Sequence, residues 1–235
     1  EEMTGINDRA QLYVANHIAS TRIFDSLTEK GVSIFDRNST FISPNAEIEP
    51  DTTIYPCTFI KGNTKIGRGC VIGPNTVIDN VCMGEHVEIN ASQAYDSVIG
   101  NNVKIGPFSH VRPHCNIADN CKIGAFVEIK NTNLNEGSKA PHLSYVGDAD
   151  IGKGVNFACG SITVNYDGKR KHRTTIEDHA FIGCNVNLVA PVKIEEGAYI
   201  AAGSTITDAV PKRAMAIARM RQTVKKDWKL KGEDK

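Results

Sequence analysis

The sequence predicts an all-β chain wound as a parallel β-helix of hexapeptide repeats, with a linker or capping helix before it and an extended tail after it. Three observations predict this. Ile42, Ile48, Ile54, Ile60, Ile66, Ile72 and Ile78 fall six apart without a slip. The beat returns at Ile99, Ile105, Val111, Ile117, Ile123 and Ile129, and again at Ile151, Phe157, Ile176, Ile182, Leu188, Ile194, Ile200 and Ile206. Glycine often follows the aliphatic residue, as in KIGRGCVIGPNTVI. A period of six fits neither a helix, at 3.6, nor an amphipathic strand, at 2. It fits a coil of three short strands and tight turns, about 18 residues around, in which each aliphatic residue stacks on its equivalent one coil away. Glycine, Asn and Asp accept the backbone angles of the corners. About eight or nine coils from Ile42 to Ile206 give a prism roughly 40 Å tall at ~4.8 Å per coil.

The elements follow in order. Residues 1–31 supply a cap: Leu12, Ala15, Ala19, Ile23 and Leu27 lie at helical spacing between about Asn7 and Lys30, and Gly31 is a C-terminal stop. A solenoid needs such caps because its end coils expose open ladder edges. Residues 32–207 are the β-helix. Residues 208–235 form a basic tail that leaves the repeat at Pro211 and carries Trp228, the only tryptophan, as an anchor onto a neighbouring surface.

Composition narrows the function. Lys+Arg and Asp+Glu balance at 27 each, so no global charge points to nucleic acid or a membrane. The balance conceals an asymmetry: residues 208–235 hold nine basic and four acidic side chains, so a +5 tail follows a −5 body. Such a tail suits an anionic ligand. The seven cysteines form no CxxC pair, which removes zinc-ribbon and thioredoxin-type assignments and fits reduced thiols in a cytoplasmic setting. No apolar run is long enough for a membrane span.

Two departures from the beat matter. The first interruption runs from Lys130 to Ser144, with His142 near its end. The second is NYDGKRKHRT, residues 165–174, a polar loop with an Asp-Gly turn. Loops carried on a rigid solenoid are where function concentrates.

From GINDRAQL (Gly5 to Leu12) to AIARMRQ (Ala216 to Gln222), the chain resembles the C-terminal part of the bacterial bifunctional N-acetylglucosamine-1-phosphate uridylyltransferase / glucosamine-1-phosphate acetyltransferase. The most specific matches are FVEIK (Phe126 to Lys130), HLSYVGDADIG (His142 to Gly152), NYDG (Asn165 to Gly168) and LVAPV (Leu188 to Val192). The resemblance implies a left-handed winding, a homotrimer with active sites between neighbouring prisms, and transfer of acetyl from acetyl-CoA to the amine of glucosamine 1-phosphate, a step toward UDP-N-acetylglucosamine and the cell wall. The Gly-rich nucleotide loop and magnesium site of the family's other half have no counterpart here, so the chain is expected to lack uridylyltransferase activity, and no metal is expected.

The same resemblance implies the site residues. His142 is the catalytic base, a role suited to an imidazole of unperturbed pKa ~6.5, and Glu128 is the carboxylate that orients it. Arg112 and Lys130 grip the sugar phosphate, with a guanidinium fork and an ammonium. Tyr145, Asn156, Asn165 and Lys171 complete the acceptor site. Cys159, Tyr166, Cys184, Ala202 and Arg219 meet acetyl-CoA. The peptide N–H of Cys159 is the candidate oxyanion donor, and direct attack by the amine needs no acetyl-cysteine. Cys159 stands where the family commonly has alanine, Cys184 where it often has serine, and Pro141 where it often has glycine. Tyr145 also falls on the beat with Ile151 and Phe157, which makes it a candidate core ring. One rival is another hexapeptide acyltransferase with a different acceptor. Another is a zinc-dependent hexapeptide protein, for which His110 and His114 would need a third histidine.

Overall fold

The computed structural model describes residues 5–226 and Trp228. The chain forms the expected left-handed parallel β-helix: one helix followed by short strands, most of two or three residues, every ladder between them parallel. The strands stack as three faces of a prism. Successive rungs of one face run Glu47–Ile48, Lys65–Ile66, Cys82–Met83, Val98–Ile99 and onward to Val192–Ile194. Nine coil-to-coil steps separate Ile42 from Ile206, through Ile60, Ile78, Ala94, Val111, Ile129, Val146, Thr163 and Leu188. Flanking rungs at Ser33–Ile34 and Met215–Ala216 extend the stack to about ten turns.

The beat residues are the core. Ile54, Ile60, Ile72, Ile78, Ile123, Ile182, Leu188, Ile194 and Ile200 are wholly buried, each between its equivalents above and below. Where the beat looked broken, the ladder continues. Met83, Ile89 and Ala94 fill the first gap, and Leu134, Ala140 and Val146 fill the second, all buried. These coils are slightly shorter than the rest: Ile66 pairs with Met83, one position early for the beat, and Ile78 pairs with Ala94, two positions early. Buried hydroxyls line the same interior and bond across coils. Ser161 Oγ donates to Gly183 O at 2.6 Å and accepts from Val186 N at 3.1 Å, so the interior carries few unpaired polar groups.

Two expectations are corrected. There is no loop from Lys130 to Ser144. Lys122–Lys130 and Lys139–Gly147 are long strands that turn a corner and pair along nearly their full length, because the coil joining them slips by only one position. Tyr145 is not a core ring: Val146 is the inward residue, opposite Ile129, and Tyr145 lies on the outer surface opposite Glu128. Residues 165–173 are a true excursion, since Ile151 pairs with Ile176 and the chain between them is longer than a regular coil.

The helix spans Arg9–Glu29 and begins at Asp8, whose carboxylate accepts from Gln11 N at 2.7 Å. Only Phe24 and Leu27 are buried. At 21 residues, about 30 Å, it packs its last turns on the first coil, while Leu12, Tyr13 and Val14 remain exposed. At the other end the repeat continues past Pro211, for Met215–Ala216 still pairs with Tyr199–Ile200. Part of the expected tail, residues 227 and 229–235, lies outside the described residues.

Candidate functional site

The long strand Lys139–Gly147 passes from one face, around a corner at His142 and Leu143, onto the next face. On that second face outward residues form two columns. His110, Glu128 and Tyr145 make one, on consecutive coils. Arg112, Lys130 and Gly147 make the other, each one residue past the inward Val111, Ile129 and Val146.

Charge is arranged unevenly here. Arg112 Nη1 donates to Glu128 Oε1 at 2.8 Å, and this bond raises the arginine's pKa. Lys130 faces Lys171 of the excursion, and the neighbouring ammonium, with some burial, lowers its pKa. Tyr166 and Lys171 form an antiparallel bridge, and His172 N donates to Asn165 O at 2.8 Å. The loop is therefore a closed hairpin with Lys171 toward the face. Within it, Asp167 accepts from Arg170 N, the His172 ring and Lys169 N, and these bonds bring its pKa down to about 2.

Asn165 is fixed from beneath. Its Nδ2 donates to Asp148 Oδ2 at 2.5 Å and lies 3.3 Å from Tyr145 Oη. Asp148 is buried, takes Asn131 Nδ2 on its other oxygen at 2.6 Å, and sits in the left-handed region at a corner. Gly147 makes room for this group: a Cβ there would collide with Tyr145 Oη and stand 2.8 Å from Asn165 Nδ2. Asp148, Gly147 and Asn131 escaped the sequence reading; the only signal was the Gly-Asp pair at a coil corner.

The corner forms a second group. Equal chain lengths between Lys139–Asn156 and Tyr145–Ile162 set Cys159 one coil above His142. Cys184 and Ala202 follow on the next two coils, through Asn185 N to Cys159 O at 2.9 Å and Gly203 N to Cys184 O at 2.8 Å. Arg219 comes next, its Cδ near Gly203. His142, Cys184, Ala202 and Arg219 are exposed and Cys159 is half-buried. Within the described residues, the Cys159 N–H makes no hydrogen bond, and it is left as a donor.

The structure thus brings together Arg112, Glu128, Lys130, Tyr145, Asn165 and Lys171 on one face, and His142, Cys159, Cys184, Ala202 and Arg219 along its edge. Glu128 pairs with Arg112 in this chain and not with His142, whose register mate is Ala125. Asn156 lies around the corner, on the face that carries Phe181. Tyr166 is in the hairpin, away from the edge, with its hydroxyl donating to Gly168 O. Lys130 is opposite Gly147, further along the strand from His142, so up to about 16 Å of extended strand separates His142 from Lys130. Beside His142 the corner is apolar. Phe108 and Phe126 stack at 5.3 Å, and with Leu143 they are about 60% exposed. All three have positive φ, at 59°, 58° and 36°. Among the described residues no three His, Cys, Asp or Glu side chains gather as a metal site, and no helix is long and apolar enough to cross a membrane.

Comparison with known proteins agrees with this architecture. The family described as bacterial transferase hexapeptide (six repeats) matches residues 45–80, 96–131 and 173–208. The unmatched intervals hold the shortened coils and the hairpin. The chain is similar to proteins named "Bifunctional protein GlmU": 54% identical over 97% of its length to one from a Geobacillus species, and 56% identical over 97% to one from Caldanaerobacter subterraneus. It spans about half the length of these relatives, 50% in each case. Among solved structures, an Arabidopsis UDP-N-acetylglucosamine acyltransferase superposes with a TM-score of 0.50 at 18% identity, covering 79% of this chain and 69% of that one. At that identity the likeness is one of fold. The chain is therefore similar, along nearly all of its length, to about half of the bifunctional GlmU proteins, and it is a parallel β-helix of hexapeptide repeats.

Proposed function

We propose that the chain is a glucosamine-1-phosphate N-acetyltransferase that takes its acetyl group from acetyl-CoA. The observation that carries this is the meeting of two differently equipped surfaces: a face with the Lys130–Lys171 ammonium pair and Arg112, and an edge that stacks His142 beneath Cys159, Cys184, Ala202 and Arg219. The face suits a phosphate, since two ammonium groups held together favour an anion between them. The edge suits an extended cofactor, with basic residues at its far end for the CoA phosphates.

In the proposed reaction the sugar phosphate lies across Tyr145, its phosphate toward Lys130 and Lys171. Asn165, its Nδ2 committed to Asp148 and Tyr145, offers Oδ1 as an acceptor. His142 takes a proton from the attacking amine. The nitrogen adds to the thioester carbonyl, whose oxygen gathers charge against the Cys159 N–H. The C–S bond breaks and CoA leaves as the thiol, protonated by the imidazolium. Glu128, held by Arg112, supports the imidazolium once substrate rearranges that pair.

A second and third copy complete the site in this scheme. An exposed Phe108–Phe126–Leu143 corner in left-handed backbone is unfavourable for an isolated chain, since bulky residues there cost about 1–3 kcal/mol each. Burial against a neighbouring prism offsets that cost, and brings Asn156 and Tyr166 of adjacent copies toward the edge. The chain is accordingly assigned as a homotrimer in the cytoplasm.

The test is CoA release from acetyl-CoA with glucosamine 1-phosphate or glucosamine as acceptor, corrected for the protein's own thiols. Release with the sugar phosphate, much less with glucosamine, and almost none from His142→Ala is expected. No release with either sugar overturns the acceptor assignment and leaves the rival, a hexapeptide acyltransferase for another acceptor.

A further inference from the structure

Seven cysteines are spread along the chain, and one pair shares a position on neighbouring coils. Phe157 pairs with Ile182 and Ile162 with Asn187, so the same offset holds on both sides of the corner and sets Cys159 beside Cys184. None of the other five has a cysteine opposite it: Cys82, for example, lies between Lys65 and Val98. Cys70, Cys115 and Cys121 are buried, and the thiols of Cys70 and Cys121 donate to backbone carbonyls. Cys184 is exposed and Cys159 half-buried. Neighbouring rungs are ~4.8 Å apart, inside the roughly 4.4–6.8 Å Cα separation that a disulfide spans. One coil below Cys159 on the same edge is His142, a group able to take a thiol proton.

We infer that Cys159 and Cys184 are a redox-active dithiol, a modification site at which an oxidised low-molecular-weight disulfide closes a cross-coil disulfide. The consequence, though not the bond itself, rests on the proposed function: the linked sulfurs occupy the edge assigned to acetyl-CoA, and oxidation blocks transfer. The chemistry balances. Cys159 gives its proton to His142, and its thiolate attacks one sulfur of the reagent. The displaced thiolate takes that proton and leaves as a thiol. Cys184, its proton lost to water, attacks the Cys159 sulfur and releases the second thiolate, which is protonated from water. Two protein thiols lose two electrons and one reagent disulfide becomes two thiols.

The experiment equilibrates the reduced full chain across ratios of glutathione disulfide to glutathione, traps free thiols with iodoacetamide and maps tryptic peptides. Cys159 falls in Gly154–Lys169 and Cys184 in Thr174–Lys193, each with a single cysteine. The expected product is these two peptides joined, lighter by two hydrogens than their sum. It should appear before Cys57 or Cys82 carries glutathione, and dithiothreitol should release it. In Cys184→Ser, Cys159 should instead retain glutathione. Separate glutathione adducts on Cys159 and Cys184 in the native chain, or both thiols free where Cys57 and Cys82 are modified, overturn the inference. Acetyl transfer by the linked protein should fall about tenfold or more and return on reduction; full turnover by linked protein overturns the blocking. A reduced chain without acetyl transfer sinks the proposed function while a joined peptide still stands. Transfer without a joined peptide sinks this inference alone.

Discussion

Gly147→Ala tests whether the proposed acceptor face is as tightly built as its contacts indicate. Gly147 lies opposite Lys130, and the added methyl would collide with Tyr145 Oη and stand 2.6 Å from Tyr145 Cζ and 2.8 Å from Asn165 Nδ2. All three are well inside van der Waals contact. The tyrosine ring must swing away by about 1 Å, and such overpacking costs about 1–3 kcal/mol. Asn165 has little room to follow, because its Nδ2 is held by buried Asp148 at 2.5 Å. Losing the Tyr145–Asn165 hydrogen bond adds about 1 kcal/mol. For a chain of this size each kcal/mol lowers Tm by about 2–4 °C, so a combined cost of about 2–4 kcal/mol predicts a fall of about 4–16 °C. The displaced atoms belong to the proposed site, so kcat/KM for glucosamine 1-phosphate should fall about 5- to 100-fold, at about 1.36 kcal/mol per decade. The assay pairs that measurement with thermal unfolding, and with far-UV dichroism to show that the solenoid persists. Wild-type kcat/KM in a folded variant would refute the reasoning, because Tyr145 and Asn165 would then be free to move without consequence.

Other contacts make their own demands. Phe126→Asp places a charge in the exposed Phe108–Phe126 stack; under the proposed trimeric assembly, light scattering should show smaller particles than wild type and transfer lost with them, and an unchanged, active assembly would remove the apolar corner from the proposed interface. Ile60→Ala opens a cavity between Ile42 and Ile78 in a wholly buried ladder, for which about 2–5 kcal/mol is expected from the urea midpoint. The hairpin should respond to acid. Asp167 is lowered from 3.8 to about 2, so its contribution is fully present above 3.8 and is lost as pH falls toward 2; the Lys169 and Arg170 amide shifts should titrate with that midpoint, and a midpoint at the ordinary carboxylate value would show those hydrogen bonds to be absent.

Much of the fold was legible because most interior positions of this solenoid hold a large aliphatic residue. A wholly buried position between two identical neighbours takes Ile, Val or Leu, and the repetition writes itself as a period of six. The gaps were legible only in part. Met83, Ala94, Ala140 and Val146 fill the same interior positions, but coils that fall one or two positions short shift them off the beat. Counting back from Ile151 by six therefore reached Tyr145, one residue short of the buried Val146. The same slip made a continuous strand look like a loop around His142. The site divides in the same way. His142, Lys130 and Lys171 stand out as polar residues in an aliphatic rhythm. Asp148 and Gly147 do not, because their importance lies in a contact with Asn165 on the next coil that no local pattern contains.

The charges on the acceptor face give its order of assembly under the proposed function. Of the three cations, Arg112 is already occupied, with Glu128 at 2.8 Å raising its pKa. Lys130 is in the opposite condition. Lys171 pushes its pKa down, and the nearby carboxylate of Asp148 that opposes this push is engaged by the amides of Asn131 and Asn165. An arriving phosphate therefore gains most between the two lysines, where it relieves a repulsion, and least at Arg112, where it must compete with a carboxylate. Lys171 sits on a hairpin closed by Asp167 and His172 rather than on the solenoid itself, so the repulsion is imposed by a separate element placed against a rigid face. The lengthened coil between Ile151 and Ile176 is the device that places it: without the added segment the chain would continue the prism, and Lys130 would face solvent alone.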